Sequence, residues 1–153
     1  MKCWIGIDPG AKGALCALFD DGTTEVLDFN DKIYPMLGWL NEKQLSHDVR
    51  MVMIEDVHSI FGTSAKSNFN FGFNTGIMHG IVRGTNLALD MVKPKEWQKH
   101  VGVKEKGKKI KKEVAAIASR LYPGAELYGP QGGLKDGRSD ALMVASYCKF
   151  KHP

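Results

Sequence analysis

The chain has 153 residues, 43% hydrophobic and 25% charged, which suits one folded domain and excludes disordered and fibrous classes. Lys and Arg number 21 against 17 Asp and Glu, a formal net charge of +4, too small to point by itself to a polyanionic partner. The widely spaced Cys3, Cys16 and Cys148 form neither a C-x-x-C pair nor a zinc spacing, so a reducing, intracellular compartment is expected. No apolar stretch approaches the ~20 residues that span a bilayer, so no membrane partner is expected. Met1-Lys2-Cys3-Trp4 runs straight into a strand pattern without the apolar core of a signal peptide.

Cys3 to Ile7 is apolar and β-prone and ends at Asp8; Pro9-Gly10 then marks a turn. Ala14 to Phe19 is a second apolar run, Asp21-Gly22 a hairpin signal, and Thr24 to Phe29 a third strand. Three strands joined by short turns predict an antiparallel meander. Met36, Leu37, Trp39, Leu40 and Leu45 suggest a helix after Pro35, and Val49 to Ile54 reads as a strand buried on both faces, ending at Glu55-Asp56. A loop over Ser59 to Asn68 and a helix to about Leu87 follow, then a fifth strand, Leu87 to Val92. Pro94 opens a short helix through His100. Lys108 to Leu121 is an amphipathic helix with Ile110, Val114, Ile117 and Leu121 on one face, stopped by Pro123-Gly124. A loop from Glu126 to Lys135 leads into a last helix, about Asp136 to Phe150. This order predicts an α/β domain with a mixed sheet and helices on its faces. With no linker or repeat in view, 1–153 is expected to be one domain.

Charge is unevenly placed. Asp20 to Asp31 holds five acids and no base, whereas Met91 to Arg120 holds ten bases against three acids. Asp8 and Glu55 end apolar strands, where a carboxylate is costly unless hydrated, paired or metal-bound. If those strands are parallel neighbours, both acids project at one sheet edge, where open α/β sheets place their sites. Asp136 and Asp140 share one face of the last helix beside the apolar Ala141, Val144, Ala145 and Cys148. Hard oxygen ligands of this kind suit Mg²⁺ or Mn²⁺, and two such ions can clamp the attacking and leaving oxygens of a phosphodiester.

Lys108, Lys109, Lys111 and Lys112 crowd the start of the amphipathic helix. Cations there oppose the helix dipole, so the placement suits a bound phosphate better than an idle surface. Gly72, Gly76, Gly80 and Gly84 make a stripe with period four. Tight packing on the sheet is the expectation, and a dimer interface the sharper alternative. Phe61, Phe69, Phe71 and Phe73, near Lys66 and Asn68, could stack on bases; core packing is expected for Phe69 and Phe73. His58 follows Glu55 closely enough to approach the same site.

Together these motifs resemble the RuvC family of Holliday junction resolvases, within the RNase H-like superfamily. Ile5-Gly6-Ile7-Asp8-Pro9-Gly10 resembles its first-strand motif, Val52-Met53-Ile54-Glu55-Asp56-Val57 the strand bearing its catalytic Glu, and Ser139-Asp140-Ala141-Leu142-Met143-Val144-Ala145 the start of its final helix. Val92-Lys93-Pro94 and the Lys111 to Val114 stretch fit the region between. The resemblance runs over almost the whole chain, in order. It implies an RNase H-like α/β fold: a five-stranded mixed sheet, three antiparallel strands then two parallel, with helices on both faces. It also implies a homodimeric, Mg²⁺-dependent endonuclease for four-way DNA junctions, with Mn²⁺ able to substitute. The small size resembles a phage-encoded member, hence the cytoplasm of a bacterial or phage-infected cell.

Asp8, Glu55 and Asp140 match the family's metal-binding catalytic positions. The family usually carries a fourth Asp or His three residues before the final Asp. That position is Gly137 here, and Asp136, one residue earlier, is the nominee. Lys111 best matches the basic residue near the scissile phosphate, with Lys108 and Lys112 as competitors; Lys12, Lys66 and Lys109 complete the expected DNA-binding set. The implied reaction is phosphodiester hydrolysis by a metal-activated water. Asp8 bridges two ions, Glu55 holds one, and Asp140 with Asp136 the other. Each subunit nicks one symmetric strand, leaving 5′-phosphate and 3′-hydroxyl ends. The rivals are a broader branched-DNA or flap endonuclease, another RNase H-like nuclease, and a non-catalytic junction-binding protein. A sugar-kinase or actin-like ATPase needs roughly two such domains, so no nucleotide cofactor is expected.

Overall fold

The computed structural model describes residues 1–29, 33–58 and 61–153. Asp31, the last acid of the acidic run, and Ser59, the first residue of the expected loop, lie outside the described residues. In chain order the elements are β1 (Lys2–Asp8), β2 (Ala14–Phe19), β3 (Thr24–Asp28), α1 (Ile33–Ser46), β4 (Asp48–Glu55), α2 (Ala65–Gly84), β5 (Leu89–Val92), α3 (Pro94–Val101), α4 (Lys109–Leu121) and α5 (Asp136–Lys151). The sheet order is β3-β2-β1-β4-β5. The β1, β2 and β3 strands pair antiparallel, and β4 and β5 join parallel. This is the mixed five-stranded sheet expected from the sequence.

Alternation along the strands splits the core into two layers. Cys3, Ile5, Ile7, Leu15, Ala17, Val52 and Ile54 face Met36 and Leu40 of α1 and Met78, Ile81 and Val82 of α2. Trp4, Cys16, Leu18 and Met53 face Trp97 of α3, Val114 and Ile117 of α4, and the Ala141–Ala145 stretch of α5. All three cysteines are free and buried. Among the described residues no helix is long and apolar enough to cross a membrane.

Several boundaries differ from expectation. The helix expected after a loop ending at Asn68 starts at Ala65, because Ser64 caps it: its Oγ accepts the Ser67 N–H at 3.1 Å. It ends at Gly84, and β5 begins only at Leu89. Leu121, expected on the apolar face of α4, is exposed in its last turn, while Ala115 and Ala118 are buried. Phe69 and Phe73, expected in the core, are 72% and 60% exposed and lie stacked with ring centres 6.5 Å apart. Nor does the glycine stripe of α2 pack on the sheet. A Cβ at Gly72, Gly76, Gly80 or Gly84 would find nothing within 4 Å. The cause is shared: α2 rests on its neighbours through Met78, Ile81 and Val82 near its C-terminal end, leaving the phenylalanine and glycine faces outside.

Candidate active site

Ile7 of β1 lies beside Ile54 of β4 in parallel register, so Asp8 and Glu55 end adjacent strands side by side. Both fall on the α5 face, because Trp4 and Met53 point there while Ile7 and Ile54 point away. Gly6 is on the α5 face too. A Cβ on it would stand 2.1 Å from the Ala141 carbonyl oxygen and 2.3 Å from the Ala145 nitrogen. The missing side chain lets α5 lie directly on β1 and brings Asp140 down to the strand ends. A glycine inside an otherwise apolar strand is the sequence signal for such an approach.

The first turn of α5 is pinned by a backbone bridge between Gly13 and Gly137. A Cβ on Gly137 would meet the Lys12 carbonyl oxygen at 2.2 Å, and one on Gly13 the Asp8 carbonyl oxygen at 2.0 Å. No side chain fits at 137. The acid nearest that position is therefore Asp136, half-buried and ion-paired with Lys111. The pair joins α4 to α5.

The carboxylates act on one another. Burial lifts Asp140 to about 8, helped by Asp8, Glu55 and Asp136, while Lys111 opposes the shift. Burial and then Asp8 lift Glu55, which is 8% exposed, to about 7, against a hydrogen bond from Trp97. Asp8 is raised by burial and by Asp136; the Gly10 N–H, which donates to its Oδ1 at 3.0 Å, and Lys111 pull it down. The Asp136 carboxylate holds the Lys111 ammonium above its ordinary value. Hard oxygen donors whose mutual charge is so little relieved are the donor set that Mg²⁺ or Mn²⁺ requires. Among the described residues no three His, Cys, Asp or Glu side chains stand together as a preformed cage.

The lysines separate. Lys111 reaches the carboxylates. Lys109 and Lys112 line a shallow depression with Glu105 and Glu113 instead, and Lys108 is exposed just before α4, making no side-chain cap bond. Lys12 lines a cleft of about 680 Å³ together with Asp28, Gln131, Lys135 and Asp136. Ala11, in the same turn, also lines a second cleft of about 340 Å³ with Ser67, Asn70 and Asn74. Lys66 is exposed in the first turn of α2. His58 is exposed and stands 3.8 Å from Asp56 rather than with the carboxylates. Sequence reasoning missed Trp97, and also Arg138, whose guanidinium grips Asp28 at 2.7 and 3.0 Å and the Glu126 carbonyl at 3.0 Å.

No family model and no curated protein matches the chain. Solved structures do. The structure of T. thermophilus RuvC in complex with a Holliday junction substrate is 16% identical, with 92% of this chain and 89% of that one covered and a TM-score of 0.62. A Thermus thermophilus RuvC structure is 17% identical, with 97% and 96% covered and a TM-score of 0.56. With the strand order and the two helical layers above, these likenesses give the chain the RuvC-like, RNase H-like α/β fold.

Proposed function

We propose that this single domain is a divalent-metal-dependent endonuclease that resolves four-way DNA junctions by hydrolysing phosphodiester bonds. The observation that carries the proposal is the grouping of Asp8, Glu55 and Asp140, with the Asp136–Lys111 pair beside them, at the C-terminal ends of β1 and β4. The fold shared with a RuvC bound to a junction supports the choice of substrate.

Asp8, Glu55, Asp140 and Asp136 are the residues that would hold the Mg²⁺ ions. Such ions would supply a water nucleophile of lowered pKa and would offset charge on the leaving oxygen. Lys111 exchanges its carboxylate partner for the scissile phosphate, and Lys12, Lys66, Lys108, Lys109 and Lys112 track the flanking backbone. Two copies meeting through the exposed Phe69–Phe73 and glycine faces of α2 present two such sites, one for each symmetric strand.

Asp8→Asn and Asp140→Asn are expected to lower Mg²⁺-dependent cleavage of a synthetic four-way junction by on the order of 10³-fold, while gel-shift affinity stays within a few-fold. Wild-type inactivity with both Mg²⁺ and Mn²⁺ sinks the proposal. Equal cutting of flaps and junctions replaces it with the broader branched-DNA nuclease.

A further inference from the structure

Trp97 is 1% exposed, and its indole N–H donates to Glu55 Oε1 at 2.7 Å. The local fold dictates this meeting. Val92 pairs with Glu55 at the end of β5, and α3 opens two residues later at Pro94, so Trp97 in its first turn comes within reach of the end of β4. A buried indole needs an acceptor. Trp4 meets that need ordinarily, giving its N–H to the His152 carbonyl at 2.6 Å. Trp97 instead gives its N–H to a carboxylate that has lost most of its water.

A donor on Oε1 restricts a side chain with three torsions to one orientation. It leaves Oε2 without a protein donor among the described residues. Asp8 is treated alike, with the Gly10 N–H on Oδ1 and no protein donor on Oδ2 among the described residues. Each strand-end carboxylate thus has one oxygen tied to the protein and one with no protein donor among the described residues. The Asp8 tie is backbone, fixed by the turn; the Glu55 tie is a side chain.

We propose that Trp97 is a positioning residue, whose indole N–H fixes Glu55 with one oxygen engaged and the other presented to a divalent cation shared with Asp8 and Asp140. This rests on the metal-dependent reading above. Trp97 acts through Glu55, as outer partners of metal ligands do.

The test uses the full chain, ¹⁵N-labelled at its indole nitrogens, without DNA. The Trp97 N–H signal is expected to exchange slowly with water, to move in Glu55→Gln while the Trp4 signal stays, and to shift on titration with Mg²⁺. In junction cleavage, Trp97→Phe is expected to raise the half-saturating Mg²⁺ concentration about 10–100-fold. Its rate at saturating Mg²⁺ stays within about threefold of wild type. A folded Trp97→Phe protein with the wild-type Mg²⁺ requirement overturns the positioning role and leaves the nuclease reading standing. A Trp97 signal indifferent to Glu55→Gln overturns it even if Trp97→Phe does not fold. If the wild-type protein cuts nothing, the nuclease reading falls. The indole signal then decides alone: a Mg²⁺-induced shift supports the role, and no shift overturns it.

Discussion

Asp140 is a carboxyl group that the fold tolerates protonated and resists ionised. Its folded value of about 8 lies above that of the unfolded chain, so the folded protein binds more protons between the two. Its ionisation therefore costs nothing below the unfolded value. The cost grows as pH rises through that window and is complete above about 8. Asp140→Asn should stabilise the metal-free protein by about 0.5–2 kcal/mol near pH 9 and by nothing near pH 4, read from urea unfolding at both. An equal gain at the two pH values would show that ionisation is not the cause. Asp8 and Glu55 were legible as a pair because the end of an apolar strand is visible in sequence. Trp97 was not, because its partner is 42 residues away and a tryptophan on a short helix reads simply as core. The Lys111–Asp136 pair hid for the same reason, since neither helix shows which neighbour it faces.

Between helix and strand, the decisive contacts are those of backbone with backbone. Gly6 and Gly137 let α5 sit closer to β1 and its turn than any side chain permits. Gly137→Asp, which puts an acid at the position where the resemblance to the RuvC family implies one, is expected to cost about 1–3 kcal/mol or more through overpacking and to bring no gain in cleavage. Denaturation and junction assays on one preparation check both. On the opposite face, α2 carries Phe69 and Phe73 in the open. Phe69→Ser is expected to change monomer stability by less than about 0.5 kcal/mol and to weaken self-association, read by sedimentation over a concentration series. A wild-type protein that stays monomeric with and without DNA removes the dimer. This face misled the sequence reading because phenylalanines four apart show the same period whether they meet a sheet or another molecule. The α4 helix was legible because Val114 and Ile117 stand in a polar sequence, where the period has contrast.

Over the whole molecule, the acidic run and the basic run meet different fates. Glu25 pairs with the buried Lys43, and Asp28 with Arg138, so acids of β3 are spent within the fold. Apart from Lys111, the bases before and within the first turns of α4 face outward. Junction affinity should fall with salt at a log–log slope of about −0.9 per phosphate contacted, and Lys111→Ala or Lys12→Ala should each flatten it by about one contact. A variant with wild-type binding and cutting at every salt concentration loses its assignment. Net charge concealed this division, which only the distribution along the chain disclosed. The seating of α5 on β1 has a further consequence, in time. The strand that carries Asp8 leaves the ribosome before the helix that carries Asp140, and neither completes the site alone. During synthesis, at roughly 5–20 residues per second, a nascent chain holds an incomplete set of acids. On the proposed function, such a chain gains its full set of acids, and with it the capacity to cut, only when α5 docks on β1.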